Sequence, residues 1–161
     1  MAMKNLTILS ISFLLLFGLI TQAEGQTLST RQTELIKNQV DSMFQKMLVF
    51  AERLDFDAIS SGVNDKHEAG FITNDKYYAR YSSLIEDFKN NAQGIDRQDI
   101  SIKEKKITVL SDKIVLLTAS GVAKAILKDG RAIAADFHWS FVFEKINKDW
   151  KVIYSHQSTA K

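Results

Sequence analysis

Residues 136–158 read DFHWSFVFEKINKDWKVIYSHQS, and this stretch decides the fold. Its first half places an aromatic residue at every second position from Phe137 to Phe143, with polar residues at most of the positions between them. That period of two is the pattern of a strand with one buried face. The second half begins at Trp150, after a short polar loop at 147–149. The chain is therefore predicted to end in a long antiparallel hairpin.

Helical patterns occupy the first half of the chain. Ser29 and Gln32 have the spacing of a capping box, in which each side chain satisfies a backbone N–H at the start of a helix. A long amphipathic helix should follow, with a buried stripe at Ile36, Val40, Met43, Met47, Phe50 and Leu54. A short second helix is predicted between Asp55 and Gly62. Asn74 is predicted to cap a third helix that stops by Gly94.

From Ile95 onward the period of the apolar residues changes from 3.6 to 2, which predicts four long strands. They are expected at Asp99–Leu110, Lys113–Leu127, Arg131–Glu144 and Trp150–Ser158, and a short strand is expected at Ala69–Ile72. Helices early in the chain and strands late in it are typical of an α+β fold. We expect a cone with a cavity between the helices and the sheet.

Two turns set the predicted register of this sheet. The segment 128–131 reads KDGR, and its Asp-Gly pair suits the two positive-φ positions of a tight type I′ turn. Pairing the two ends of that segment places Ser120 opposite Trp139, with both side chains on the face that carries the aromatic row.

The last hairpin leaves two registers open. A three-residue loop at 147–149 would pair Trp139 with Gln157 and Phe141 with Ser155, with these side chains in the cavity. A two-residue loop would turn the opposite face inward. The first register is preferred.

Length and charge limit the classes of function. One sheet packed on a few helices is as much as 161 residues comfortably support, so a single domain is predicted. The formal net charge is only +2, which is not the electrostatic signature of a nucleic-acid-binding protein.

The first residues have the pattern of a signal peptide. Lys4 is followed by an apolar run over Leu6–Ile20 and then by Thr21-Gln22-Ala23, which fits cleavage after Ala23. The alternative is an uncleaved anchor, but the run is shorter than the ~20 residues that a membrane span needs. Residues 1–23 are therefore expected to be a signal peptide and residues 24–161 the mature domain. The protein should be secreted or periplasmic, with no membrane contact after cleavage.

The chain has no cysteine, so it has neither a disulfide framework nor the acylated cysteine of a bacterial lipoprotein.

The order of these elements resembles the nuclear transport factor 2-like superfamily, which includes SnoaL-like domains, ketosteroid isomerases and the association domain of calcium/calmodulin-dependent kinase. Phe71–Tyr78 resembles the strand, turn and helix start of SnoaL-like domains, and Trp150–Ser158 resembles their closing strand. The resemblance runs from Ser29 to Ser158. It implies a cone-shaped, cystatin-like α+β fold, in which helices pack on a strongly curved antiparallel sheet.

The resemblance also implies where a ligand would lie. Members of the superfamily often present a side chain into the cavity just before the closing serine, which is Gln157 here and supports the three-residue loop. The ligand-binding residues are expected to be Ser120, Trp139, Phe141, Ser155 and Gln157, with Tyr78 over the cavity mouth. An aromatic row with a few polar groups fits a small, largely apolar ligand. No catalytic residue, metal or cofactor is expected.

A proton-transfer enzyme is the first alternative. Isomerase-like members hold an oxyanion with a tyrosine of the first helix and a protonated aspartate, and the first helix here has no tyrosine. Asp65 with a histidine is the remaining acid–base pair, and Asp136 could serve a histidine in the same way. His67 lies beside Asp65 and Glu68, but three ligands within four residues cannot easily converge on one metal ion.

A homodimeric assembly module is the second alternative. The register above places Trp150, Val152, Tyr154 and His156 on the outer face of the sheet, and an apolar patch of this kind usually marks an interface. Self-association through the sheet is therefore expected whichever ligand the cavity takes.

Overall fold

The chain folds as a layer of helices against one face of a single sheet. The computed structural model describes residues 27–160, so the signal peptide predicted at 1–23 lies outside the described residues. The elements are α1 (Thr30–Glu52), α2 (Phe56–Ser61), β1 (Phe71–Thr73), β2 (Lys76–Tyr78), α3 (Tyr81–Asn91), β3 (Ile95–Val109), β4 (Ile114–Leu127), β5 (Ala132–Ile146) and β6 (Asp149–Thr159). The predicted α+β class is confirmed. Within the described part, none of the helices has the length and hydropathy of a membrane span.

The six strands form one sheet in the order β2-β1-β6-β5-β4-β3. Every neighbouring pair is antiparallel except β1 and β6, which are parallel. The sheet is therefore mixed, not purely antiparallel as expected. The reason is local, because the chain already runs alongside β6 from a parallel bridge between Val63 and Val152 and continues in that direction into β1.

Helix α1 begins where the capping box predicts. The Ser29 hydroxyl accepts the backbone N–H of Gln32 at 3.3 Å, and the Gln32 side-chain oxygen accepts the N–H of Ser29 at 2.9 Å. Its buried residues are Ile36, Val40, Phe44, Met47 and Leu48. They join the inward residues of β4, β5 and β6 in one core. Each fully buried side chain of this size contributes about 2 kcal/mol.

The prediction that Asn74 caps the third helix is wrong. Asn74 lies in the two-residue turn between β1 and β2 with φ 50°, a conformation that asparagine tolerates well. Its side-chain oxygen accepts the N–H of Thr159 at 2.9 Å, which ties this turn to the end of β6. Helix α3 begins only at Tyr81, whose N–H is bound by the Asp65 carboxylate at 3.2 Å.

The predicted register of β4 and β5 is also wrong, by one residue. The N–H of Leu127 bonds to the carbonyl of Arg131, so the loop has three residues, and only Gly130 has a positive φ, of 85°. A three-residue loop with glycine at its end is the second common hairpin form. As a result, Trp139 pairs with Ala119, and Ser120 lies on the opposite face of the sheet.

The preferred register of β5 and β6 is confirmed, although the loop that was to produce it is not. Phe141 pairs with Ser155 and Trp139 with Gln157. The loop itself has two residues, because Ile146 pairs with Asp149, and the missing residue is supplied by a bulge at Ile153 between the pairs of Val142 and Phe143. The bulge adds one residue to β6 and restores the predicted faces beyond it.

The bulge also reverses the face of the first part of β6. Trp150 and Val152 were expected on the outer face, but they are 5% and 2% exposed and belong to the core. The indole N–H of Trp150 donates to the Gln39 side chain of α1 at 3.0 Å. The apolar outer patch predicted at these two residues therefore does not exist.

Candidate functional site

A cavity of about 410 Å³ lies between the helices and the inner face of the sheet. Its volume is within the range of small-molecule sites. Six aromatic side chains line it: Phe44, Phe56, Tyr81, Phe88, Trp139 and Phe141. They come from α1, α2, α3 and β5, so the cavity forms only when all the layers are assembled.

Strand β5 supplies the aromatic wall that the sequence predicts. Phe137 is buried below Trp139, and the two rings stack with centroids 3.8 Å apart. Phe141 meets Trp139 edge to face at 6.2 Å and Phe44 of α1 at 5.8 Å. Phe137 and Phe44 are buried in the core. They therefore hold the Trp139 and Phe141 rings in place at the cavity wall.

Two polar side chains of β6 interrupt the apolar lining. The Gln157 amide donates to the Ser155 hydroxyl at 3.4 Å, and Ser155 is only 2% exposed. The Gln157 side-chain carbonyl accepts no hydrogen bond from the described residues, so this oxygen can accept one from a ligand. An amide and a hydroxyl beside an indole can orient a small molecule through hydrogen bonds and stacking.

The exposed lining residues Asn74, Asp75 and Lys76 mark the mouth of the cavity. At this mouth, the Asp87 carboxylate of α3 accepts hydrogen bonds from the Tyr78 phenol at 2.5 Å and from the Lys76 ammonium at 3.2 Å.

These hydrogen bonds fix the protonation states at the mouth. The bond from Tyr78, followed by the bond from Lys76, lowers the pKa of the Asp87 carboxyl. The same bond raises the pKa of the Tyr78 phenol, since it favours the protonated form. Asp87 is therefore ionised and Tyr78 protonated at neutral pH.

Deeper in the lining, burial raises the pKa of the Tyr81 phenol far above its usual range. Tyr81 also remains protonated, so neither the Tyr78 phenol at the mouth, nor the Tyr81 phenol in the lining, nor the Asp87 carboxylate is a base tuned to neutral pH.

The residues predicted to bind a ligand divide into three groups. Trp139, Phe141, Ser155 and Gln157 line the cavity. Tyr78 reaches its mouth through the bond to Asp87. Ser120 does not face the cavity. The observed register differs from the predicted one by one residue, so Ser120 lies in a groove of about 530 Å³ on the outer face, with His138 and His156.

Asp87 is one of the polar lining residues that were not predicted from the sequence. It lies three positions after Leu84 and one before Phe88, so a charge stands on the apolar side of a short amphipathic helix. That position is the signal that could have revealed it.

The acidic loop before β1 points away from the cavity. Asp65 binds the N–H of Tyr81 at the start of α3, Glu68 forms an ion pair with Arg80, and His67 contacts Glu144 of β5 at 2.6 Å. Asp65 and Glu68 thus hold the loop to the start of α3, while His67 holds it to β5, so the three side chains do not converge. Among the described residues, no group of three or more histidine and acidic side chains could hold a metal ion.

None of the three histidines of the chain lines the cavity. His67 is bonded to Glu144, and His138 and His156 are exposed on the outer face of the sheet. The dyad of Asp65 with a histidine therefore has no counterpart inside the cavity, whose lining carboxylates are Asp75 and Asp87.

Solved structures show the class of fold. A nuclear transport factor 2-like superfamily protein from Salmonella enterica serovar Typhimurium is similar, with TM-score 0.71 and 18% identity over 80% of this chain and 94% of that chain. The hexachlorocyclohexane dehydrochlorinase LinA-type3 from Novosphingobium barchaimii LL02 is also similar, with TM-score 0.67 and 12% identity over 83% of this chain and 92% of that chain. The association domain of CaMKII from C. elegans is similar with TM-score 0.59 and 14% identity over 78% of this chain and 97% of that chain. At these identities the similarity shows the fold alone.

The family follows from the sequence itself. The family model of the SnoaL-like domain matches residues 40–161, and the chain therefore belongs to this family within the nuclear transport factor 2-like superfamily. No protein of curated function matches the chain.

Proposed function

We propose that this protein binds a small, largely apolar molecule in the cavity between its helices and its sheet. The observation that carries the proposal is the composition of the lining, in which six aromatic rings surround the Ser155–Gln157 pair. Apolar walls with a few placed polar groups are the usual form of a small-molecule site.

The same lining favours binding over proton-transfer catalysis. The three histidines lie outside the cavity, and Asp87 is kept ionised by Tyr78 and Lys76. A general base needs a pKa near the working pH, and a carboxylate with a lowered pKa is a weak one. A lining serine has no imidazole to activate it.

The proposal can be tested with naphthalen-1-ylmethanol as a neutral aromatic probe, followed by isothermal titration calorimetry. Trp139→Ala and Gln157→Leu should abolish binding, since they remove the stacking wall and the exposed acceptor. His156→Ala and Asp65→Asn should leave the affinity nearly intact, because neither side chain lines the cavity.

Two serines provide the matched control. Ser155→Ala should weaken binding and Ser120→Ala should not, since the two hydroxyls lie on opposite faces of one sheet. If the probe does not bind, or if Ser120→Ala weakens binding as much as Ser155→Ala, the cavity is not the site. A turnover reaction lost in His156→Ala or Asp65→Asn, with the fold preserved, would establish the enzyme alternative instead.

Export is a second part of the proposal. The apolar run over Leu6–Ile20 and the small residues before Glu24 support a signal peptide, so we expect secretion or periplasmic location. The mature protein should begin at Glu24. Mass spectrometry of the exported protein checks this, and an intact Met1 would contradict it.

We further propose a homodimer formed through the outer face of the sheet. Because Trp150 and Val152 lie in the core, fewer apolar residues of the outer face support this dimer than the sequence predicted. What remains is a half-buried apolar row across three strands, with Leu116 opposite Val142 and Val142 opposite Tyr154.

A further inference from the structure

The charged groups that line the cavity are not balanced. They are two carboxylates, Asp75 and Asp87, and one ammonium, Lys76. Lys76 pairs with Asp87 at 3.2 Å, and Asp75 has no ion-pair partner among the described residues. The cavity mouth is therefore negative, although the chain as a whole has a formal charge of +2.

The end of α3 adds to this negative field. Asn91, the last residue of α3, lines the cavity, whereas the carbonyl of Ala51 near the end of α1 already accepts the Leu54 N–H and the Gln98 side-chain amide. The carboxyl end of a helix presents unpaired carbonyl groups and carries a partial negative charge.

The basic residues next to the ends of α1 and α3 are paired or lie outside the cavity lining. Arg53, the C-cap residue of α1, does not line the cavity. The last turn of α3 has Lys89, which pairs with Asp57 at 2.9 Å.

The aromatic walls suit the same kind of ligand. A cation near the face of a tryptophan, tyrosine or phenylalanine ring is attracted by the negative charge above that ring. Six such rings line the cavity, and Phe88 stands one residue after Asp87 on α3. An ammonium group in the cavity would thus meet two carboxylates, the carboxyl end of α3 and the faces of aromatic rings.

We infer that the ligand is an apolar, ring-containing molecule with a cationic amine head, and that the site disfavours carboxylates of the same size. This inference rests on the proposed function. The apolar body would lie against Trp139 and Phe141, and the amine would lie at the mouth beside Asp75. A carboxylate head would meet the same negative groups without a free cation in the lining, since Lys76 is already bonded to Asp87.

Three matched probes test the inference by calorimetry on the purified protein at low ionic strength: naphthalen-1-ylmethylamine, naphthalen-1-ylmethanol and 1-naphthoate. They share one ring system and differ in head-group charge. The amine should bind about tenfold more tightly than the carboxylate, with the alcohol between them, and the ratio should fall as salt screens the exposed charges.

A pair of variants with the same change in net charge locates the effect. Asp75→Asn should reduce the ratio of amine to carboxylate affinity by about threefold, since it removes the unpaired carboxylate at the mouth. Asp112→Asn should leave the ratio unchanged, because Asp112 lies between β3 and β4 and does not line the cavity.

The outcomes separate the two proposals. If the alcohol binds and the carboxylate binds as tightly as the amine, the pocket proposal stands and this inference is overturned. If Asp112→Asn reduces the ratio of amine to carboxylate affinity as much as Asp75→Asn does, the preference arises from the overall charge of the protein. That result would also overturn this inference. If none of the three probes binds, the pocket proposal itself is wrong and the inference falls with it.

Discussion

Gly121 shows how closely single residues are fixed in this molecule. A Cβ atom at this position would lie 2.0 Å from the Ser101 carbonyl oxygen and 2.7 Å from the Phe137 ring. The ring that would be displaced is the one stacked under Trp139. The smallest residue at this position therefore supports the aromatic wall of the cavity.

Gly121→Ala should lower the free energy of unfolding by about 1–3 kcal/mol, because an inserted methyl group forces the backbone and the Phe137 ring to shift. Gly94 provides the control, since a Cβ atom there meets nothing within 4 Å. Gly94→Ala should change the stability by less than about 0.5 kcal/mol. Urea denaturation measures both, and equal midpoints for the two variants would contradict the close contact at Gly121.

Individual residues were predicted from sequence where they formed a pattern. The aromatic row of β5 was visible because alternation leaves only one arrangement of faces. Asp87 and Asp75 were not predicted as site residues. The charge on the apolar side of α3 marks Asp87 in the sequence, but the meeting of α3 with the β1–β2 turn at the mouth is a contact that sequence spacing does not encode.

The β1–β2 hairpin is the element that closes the mouth, and it is fastened on both sides. Asn74 joins its turn to Thr159 of β6, and Lys76 and Tyr78 join its second strand to Asp87 of α3. The Asp87 carboxylate therefore holds the second strand of the hairpin to α3 by hydrogen bonds, and Phe71 of the first strand packs against Tyr81 of the same helix.

Acid should loosen this hairpin. The pKa of Asp87 is lowered in the folded protein, mainly by Tyr78 and then by Lys76, so its contribution to stability is present above the unfolded value of about 3.9 and is lost as pH falls through the folded value. Amide exchange at Lys76–Tyr78 should accelerate below about pH 4, relative to the intrinsic rate.

Variants make this assignment testable. Asp87→Asn should show the faster exchange already at neutral pH, with no further acid-induced change. Asp129 also has a lowered pKa, through Arg131, but it lies in the β4–β5 loop. Asp129→Asn should therefore leave the hairpin response as in the wild type. If amide exchange at Lys76–Tyr78 still accelerates in acid in the Asp87→Asn variant, a group other than Asp87 is responsible for the loosening.

Element types were predicted better than element boundaries. The long helix and the four long strands were correct, because each has a strong periodic pattern. The third helix was started too early, since Asn74 suits both a helix cap and a positive-φ turn. The β4–β5 loop was misjudged because Asp-Gly serves two- and three-residue loops alike, and that single residue moved Ser120 out of the cavity.

Considered as a whole molecule, the chain has two faces that differ in chemistry. The inner face is covered by helices and encloses the cavity. The outer face is open and carries the row of Leu116, Val142 and Tyr154 beside a polar groove with His138 and His156.

Tyr154→Glu should weaken the proposed dimer and leave circular dichroism unchanged, because a carboxylate in the apolar row loses hydration on association while the side chain is outside the core. Analytical ultracentrifugation over micromolar concentrations measures the effect. Tyr77→Glu is the control, since Tyr77 is 64% exposed and lies on β2, outside that row. A wild-type protein that is monomeric throughout this range would contradict the dimer.

The bulge at Ile153 has a consequence for the gene as well as for the sheet. Val152 and Tyr154 pair with consecutive residues of β5, and Ile153 is the extra residue between them. Loss of its codon would leave each of the other partners in place and keep Ser155 and Gln157 in the cavity. Loss of the His156 codon would instead move Gln157 to the outer face. This strand can therefore shorten by one residue at the bulge without changing which of its side chains line the cavity.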